Sequence, residues 1–193
     1  MGSFYVNFSV KEAEPRQVAD ALKRGGRRAI VTPSHGGYVV AYDEEADRQA
    51  IQPILAVGRL LSREVGRPVL AVLNHDDDIL CYWLFAGGEL VDSYNSNPEA
   101  FEPEAGEPPW QIGDSAKLCA ALNAGANVAA VESVLRGDCL FAVHRHQQLA
   151  DALGLSPWSV GFGYRYVSRG ELEDDSGIGE LVYVGGRTPI PFK

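Results

Sequence analysis

The sequence predicts an α+β protein: a mostly antiparallel sheet of about six strands with two helices near its start, followed by a helical C-terminal part. Three observations carry this. Residues 68–98, PVLAVLNHDDDILCYWLFAGGELVDSYNSNP, form the longest apolar part of the chain, and polar breaks cut it where turns belong. Residues 4–73 alternate between strand-like and helix-like periodicity. Residues 97–113 then change character, with Pro98, Pro103, Pro108 and Pro109 among several Glu, and helical patterns follow.

In chain order, Phe4, Val6, Phe8 and Val10 alternate with Tyr5, Asn7, Ser9 and Lys11, the period of a strand with one buried face. Glu14-Pro15 opens a helix with Val18, Ala21 and Leu22 on its apolar side, and Gly25-Gly26 ends it. Residues 29–32 and 38–42 are short strands joined by Pro33-Ser34-His35-Gly36-Gly37. A second helix starts near Gln52, with Ile51, Ile54, Leu55, Gly58 and Leu61 on one face, and stops at Gly66. Residues 69–73 are apolar throughout, as in a strand covered on both faces. The order β-α-β-β-α-β is that of the ferredoxin-like split βαβ unit. Its last strand would lie at an edge, which suits an all-apolar strand poorly. Two further strands, 79–85 and 90–94, extend the sheet beyond it as a meander and bury it.

Residues 1–96 are therefore expected to form the sheet domain, 97–113 a connector, 114–169 a helical region and 170–193 a Gly- and acid-rich tail, partly mobile. Asp114 and Asn127 are helix caps, with Leu118 and Leu122, then Val131 and Leu135, as apolar positions. A third helix covers 143–153. The aromatic run 160–167 fits a strand or a helix, and the apolar residues 181–184 are expected to dock.

The net charge of −9 and a pI near 4.9 oppose broad binding to nucleic acid or to anionic membranes, which needs a positive surface. The three cysteines form no CxxC pair and read as free thiols of a reducing compartment, so a cytoplasmic location is expected. The N-terminal residues lack the pattern of a secretion signal, and no stretch has the apolar length of a membrane span.

The residues that suggest chemistry do so weakly. His75-Asp76-Asp77-Asp78 combines an imidazole with carboxylates, and His75, Asp76 and Asp78 are the candidate ligands of a divalent metal. Neighbouring side chains on an extended backbone point apart, so a polar hairpin turn explains the cluster better. Cys139 with His144 and His146 has the residue types of thiol catalysis, but i and i+2 positions do not share a helix face. Gly161-Phe162-Gly163-Tyr164 lacks the third glycine of a dinucleotide loop and the surrounding βαβ unit.

Trp158, Phe162, Tyr164 and Arg165 are candidates for an interaction surface, although aromatics so spaced more often fill a core. Residues 147–167, QQLADALGLSPWSVGFGYRYV, have the outline of a helix-turn-helix, weakened by two glycines and by only Arg165 and Arg169 as basic groups. The expected function is a non-enzymatic protein-interaction or small-molecule-binding role without cofactor. The alternatives are a DNA-binding regulator with an N-terminal sensing domain and a metal-dependent hydrolase.

Overall fold

The computed structural model describes residues 2–100, 107–172 and 178–186. It shows an α+β fold built on one antiparallel sheet of seven strands, not six. These are β1 (Tyr5–Lys11), β2 (Ala29–Val31), β3 (Tyr38–Asp43), β4 (Val69–His75), β5 (Ile79–Ala86), β6 (Glu89–Asn95) and β7 (Val182–Val184), in the spatial order β6-β5-β4-β1-β3-β2-β7. The apolar residues near the end of the chain thus dock as an edge strand, with Ile30 opposite Tyr183.

The helices lie on both faces. On one face are α1 (Pro15–Arg24) and α2 (Ile51–Val65), whose Val18, Leu22, Ile54, Leu55 and Leu61 pack on Val6, Phe8, Val39, Ala71, Trp83 and Phe85. The other face carries α3 (Ser115–Leu122), α4 (Val128–Arg136), α5 (Ala142–Leu153) and the five-residue α6 (Tyr164–Ser168). There Leu118, Leu122, Val131, Leu149 and Leu153 cover Leu70, Val72, Leu80, Tyr82 and Leu84 of β4 and β5. A third cluster, Val167, Leu172 and Leu181, covers Ile30, Val40 and Tyr42 of β2 and β3.

The local causes are those of the sequence, with four differences. Asp114 caps α3 by accepting from Lys117 N, and Asn127 caps α4 by accepting from Ala129 N and Ala130 N. The strand β4 runs on to His75, so the turn to β5 is Asp76–Asp78 and begins two residues later than the polar composition suggests. Residues 160–167 are neither one strand nor one helix. Gly161 at φ 84° breaks the run, a short 3-10 turn (Pro157–Ser159) precedes it, and only α6 is helical. Residues 107–113 of the expected connector are laid along the sheet edge: Ile112 bridges to Tyr94, Gln111 N donates to Ser93 Oγ and Trp110 packs on Trp83. Residues 101–106 of that segment, and 173–177 and 187–193 of the expected tail, lie outside the described residues.

The fourth difference concerns β1. Its expected solvent face is buried: Tyr5, Asn7 and Ser9 are each 0% exposed, as are Val6 and Phe8 on the opposite face. Helices α3–α5 and the segment 156–172, docked on this face, cover a side that alternation alone assigns to water.

The contact of α2 with β5 is close enough to require a glycine. A Cβ added to Gly58 would overlap the ring of Phe85, which is fully buried and has no room to swing away. Gly58→Ala gains about 1 kcal/mol of helix propensity, while overpacking a core contact costs about 1–3 kcal/mol. We expect a net loss of stability in chemical denaturation; a stabilised Gly58→Ala protein would show that α2 stands farther from β5.

Candidate functional site

The second face of the sheet is covered from two sides, and the covers meet over β1. Helices α3–α5 roof β4 and β5, while the segment 156–172 roofs β2 and β3. Under the seam, β1 presents Tyr5, Asn7 and Ser9, with Asn74 of β4 opposite Tyr5. His146 of α5 and Ser156 and Ser159 of the roof complete a row of polar side chains, all 0% exposed.

The row is tied together by specific bonds. Tyr5 Oη lies 2.8 Å from His146 Nδ1, and the two rings are stacked at 24° with centroids 5.7 Å apart. Asn7 Nδ2 donates to two roof carbonyls, Ser159 O at 2.6 Å and Phe162 O at 2.9 Å. Tyr42 Oη donates to Trp158 O at 2.7 Å, and Ser159 Oγ donates to Ser156 O at 2.8 Å. Asp47 fastens the roof from the side: Oδ1 accepts from Val6 N and Oδ2 from Arg165 N. Gly163 is required where the roof passes this point, because a Cβ there would collide with Asp47 and stand 3.0 Å from Tyr5 Cβ.

Three atoms of the row have no hydrogen-bond partner among the described residues: Asn7 Oδ1, Ser9 Oγ and His146 Nε2. Native interiors leave few such groups, and each carries a desolvation cost of about 1–3 kcal/mol. Burial also sets the protonation states. It pushes the His146 imidazole down to about 3 and the Tyr5 phenol up, the latter partly offset by bonds from the Asn74 side chain and Gly161 N–H. Both are neutral at pH 7. Desolvation raises the Asp47 carboxyl, and its backbone donors act in the opposite direction.

The residues singled out from sequence are placed otherwise. His75 Nδ1 is 2.7 Å from Gln49 Oε1, and Phe4 stands edge-on to the His75 ring. Asp76 and Asp77 take φ 54° and 60°, the left-handed turn conformation that Asp tolerates. Asp77 accepts from Ser3 N and Asn74 Nδ2, and its carbonyl from Ala142 N at the start of α5. The turn thus locks the N-terminal residues to α5. Among the described residues no group of three or more His, Cys, Asp or Glu side chains is placed to hold a metal ion.

Cys139 Sγ donates to Phe141 O, and His144 packs edge-on to Phe141, whereas His146 points the other way, into the seam. Trp158, Phe162 and Tyr164 are half-buried against the cluster over β2 and β3, and the His35 ring packs on Trp158 at a tilt of 55°. Arg165 is exposed, donates to Phe4 O and lies over the Tyr166 ring.

One open cleft of about 360 Å³ is lined by Asp92, Gly113, Asp114, Lys117, Glu132 and Arg136. Its charges are used internally. Arg136 bonds Glu132 and the Ile112 and Gly113 carbonyls, and buried Asp92 accepts from Tyr82 Oη and Asp114 N. The seam over β1 is the place where polar groups remain to be matched.

Comparison of the chain with protein-family models, with curated proteins and with solved structures returns no match. No helix among the described residues is long and apolar enough to cross a membrane.

The His146 shift sets a pH dependence. Its folded value lies below the ordinary histidine value of 6.5, so the stability it contributes is present above pH 6.5 and is lost as pH falls towards about 3. The slope from this one group is about 1.4 kcal/mol per pH unit inside that window. Denaturation curves at pH 7, 6, 5 and 4 should show it in the parent protein and not in His146→Gln. Equal slopes would mean that His146 is solvated.

Proposed function

We propose that this chain is a non-enzymatic binding protein whose ligand is a small molecule enclosed in the seam between β1 and the roof 156–164. The observation behind this reading is the unmatched set Asn7 Oδ1, Ser9 Oγ and His146 Nε2, buried together on one side of the central strand. A chain selected for stability alone would place apolar side chains there, as it does on the opposite side of β1 with Val6, Phe8 and Val10. Polar groups kept at a stability cost are a mark of binding sites. The roof there is loop with glycines at 161 and 163, held over the seam by the Asn7 amide and Asp47.

We also read β1–β4 with α1 and α2 as a ferredoxin-like unit. The strand order β4-β1-β3-β2, antiparallel throughout, with both helices on one face, supports this. Such sheets serve many functions, so the functional reading rests on the seam alone. Three free thiols favour the cytoplasm.

Ser9→Ala tests the proposal. It removes a hydroxyl that has no partner, so stability should be unchanged or raised by up to about 1 kcal/mol. Native mass spectrometry of the protein purified from its own cells should show a small-molecule adduct that Ser9→Ala weakens. A Ser9→Ala protein markedly less stable than the parent, with no adduct in either, would sink the proposal.

Residues 147–167 place α5 and then a short turn and the five-residue α6 where a helix-turn-helix has its reading helix. Arg165 is engaged with Phe4 O and Tyr166. With the net charge of −9, we expect no retardation of genomic DNA fragments in a gel at about 0.15 M salt. Salt-sensitive retardation that Arg165→Ala and Arg169→Ala together abolish would favour the regulator instead.

A further inference from the structure

The strand β6 carries a bulge that aims one carboxylate into the open cleft at the start of α3. Leu84 pairs with Asp92 and Phe85 with Leu90, which leaves Val91 as the extra residue. Side chains two apart on a regular strand share a face. Here Leu90 packs with the α1–α2 side of the sheet, while Asp92 bonds Tyr82 on the side of α3–α5. The bulge thus turns an acidic side chain towards the second layer of helices, where it is 1% exposed.

Both donors to Asp92 meet it at the same oxygen. Tyr82 Oη donates to Oδ2 at 2.6 Å and Asp114 N at 2.9 Å. The approach of Asp114 depends on Gly113, at φ 78°, whose added Cβ would stand 2.6 Å from Tyr82 Oη. The other oxygen, Oδ1, accepts from none of the described residues, and Asp92 lines the cleft of about 360 Å³. Unlike the sealed atoms of the seam over β1, Oδ1 is open to that cleft.

The two cations of the lining are engaged elsewhere. Lys117 Nζ donates to the carbonyl of the bulged Val91 at 3.3 Å and lies 4.0 Å from Asp114 Oδ2. Arg136 Nε pairs with Glu132 Oε1 at 3.0 Å, and its other nitrogens hold the Ile112 and Gly113 carbonyls. With Lys117 matched to Asp114 and Arg136 to Glu132, Asp92 is the acidic group of the lining that forms no ion pair among the described residues. A buried anion without a counter-charge is costly, and a cation that reaches it removes part of that cost.

The geometry also selects the cation. A guanidinium fork grips both oxygens of a carboxylate, and Oδ2 is already occupied. A divalent metal needs several ligands, and among the described residues no group of three or more His, Cys, Asp or Glu side chains is placed to hold one. A quaternary ammonium has no N–H to give and is recognised by aromatic faces, which the described lining lacks. We propose, independently of the seam, that this cleft binds a small primary amine as its alkylammonium ion. The ammonium donates to Asp92 Oδ1, and the alkyl chain lies against Ile112, which lines the cleft and is 78% exposed.

The test is a titration of the full chain followed through its side-chain carboxyl ¹³C resonances. Butylammonium should shift the Asp92 Cγ resonance saturably, and bind at least about tenfold more tightly than butylguanidinium, tetramethylammonium or butanol. Asp92→Asn keeps the size of the side chain and an acceptor for Tyr82 and Asp114 N, and should abolish that binding. If the variant does not fold, the parent protein decides through the same resonances. A shift at Asp114 and Glu132 with Asp92 unmoved is association at the rim and overturns the proposal. Equally tight binding of butanol or of either other cation overturns it, as does undiminished binding to folded Asp92→Asn. So does the absence of a saturable shift with butylammonium.

Discussion

The Asn7 side chain sits where every layer of the molecule meets. It projects from the central strand, and its amide donates to two carbonyls of the segment that roofs the sheet. Without those two bonds the turn at 157–159 and the loop at 161–163 would cover β1 with unpaired backbone carbonyls. The neighbouring ties, Asp47 to Arg165 N and Tyr42 to Trp158 O, hold the same roof from the β3 side. The roof is thus docked by polar bonds over β1 and by apolar packing over β2 and β3. This division explains why a polar row survives in the middle of an otherwise apolar sheet.

Much of the fold was legible in the sequence, because the sheet and helix periods are strong where one face is apolar. The apolar run 69–73 of β4 announced its interior position, and the strand lies between β1 and β5 with Val69, Ala71 and Leu73 on one side and Leu70 and Val72 on the other. The caps Asp114 and Asn127 were readable from residue type alone. The seventh strand was not, since three residues carry too little period to distinguish docking from pairing.

The candidate site was hidden for a specific reason. A strand that alternates apolar and polar residues signals one wet face, and Tyr5, Asn7 and Ser9 fit that pattern. Only the docking of elements more than a hundred residues away turned their face inward. His146 likewise looked like one of two histidines at a surface helix start; it is buried because α5 turns that residue, with Leu149 and Leu153, towards the sheet. The signal available was indirect. A C-terminal half with its own apolar helix faces and no second sheet to cover must place them somewhere, and the free side of the existing sheet is the only large surface of matching period.

The placement of β1 also has a consequence for how the chain reaches its native state. The earliest of the described strands in chain order is the one completed last: its neighbours are β3 and β4, its ties come from Asp47, and its roof arrives only with residues 156–165. During synthesis Tyr5, Asn7 and Ser9 must wait, solvated, while the opposite side of the strand is already able to pack on α1 and α2. Contacts of such long sequence separation slow folding. Here the early intermediate would expose a polar strip at the centre of its bare sheet face, which interrupts the apolar surface through which half-folded sheets stick to one another.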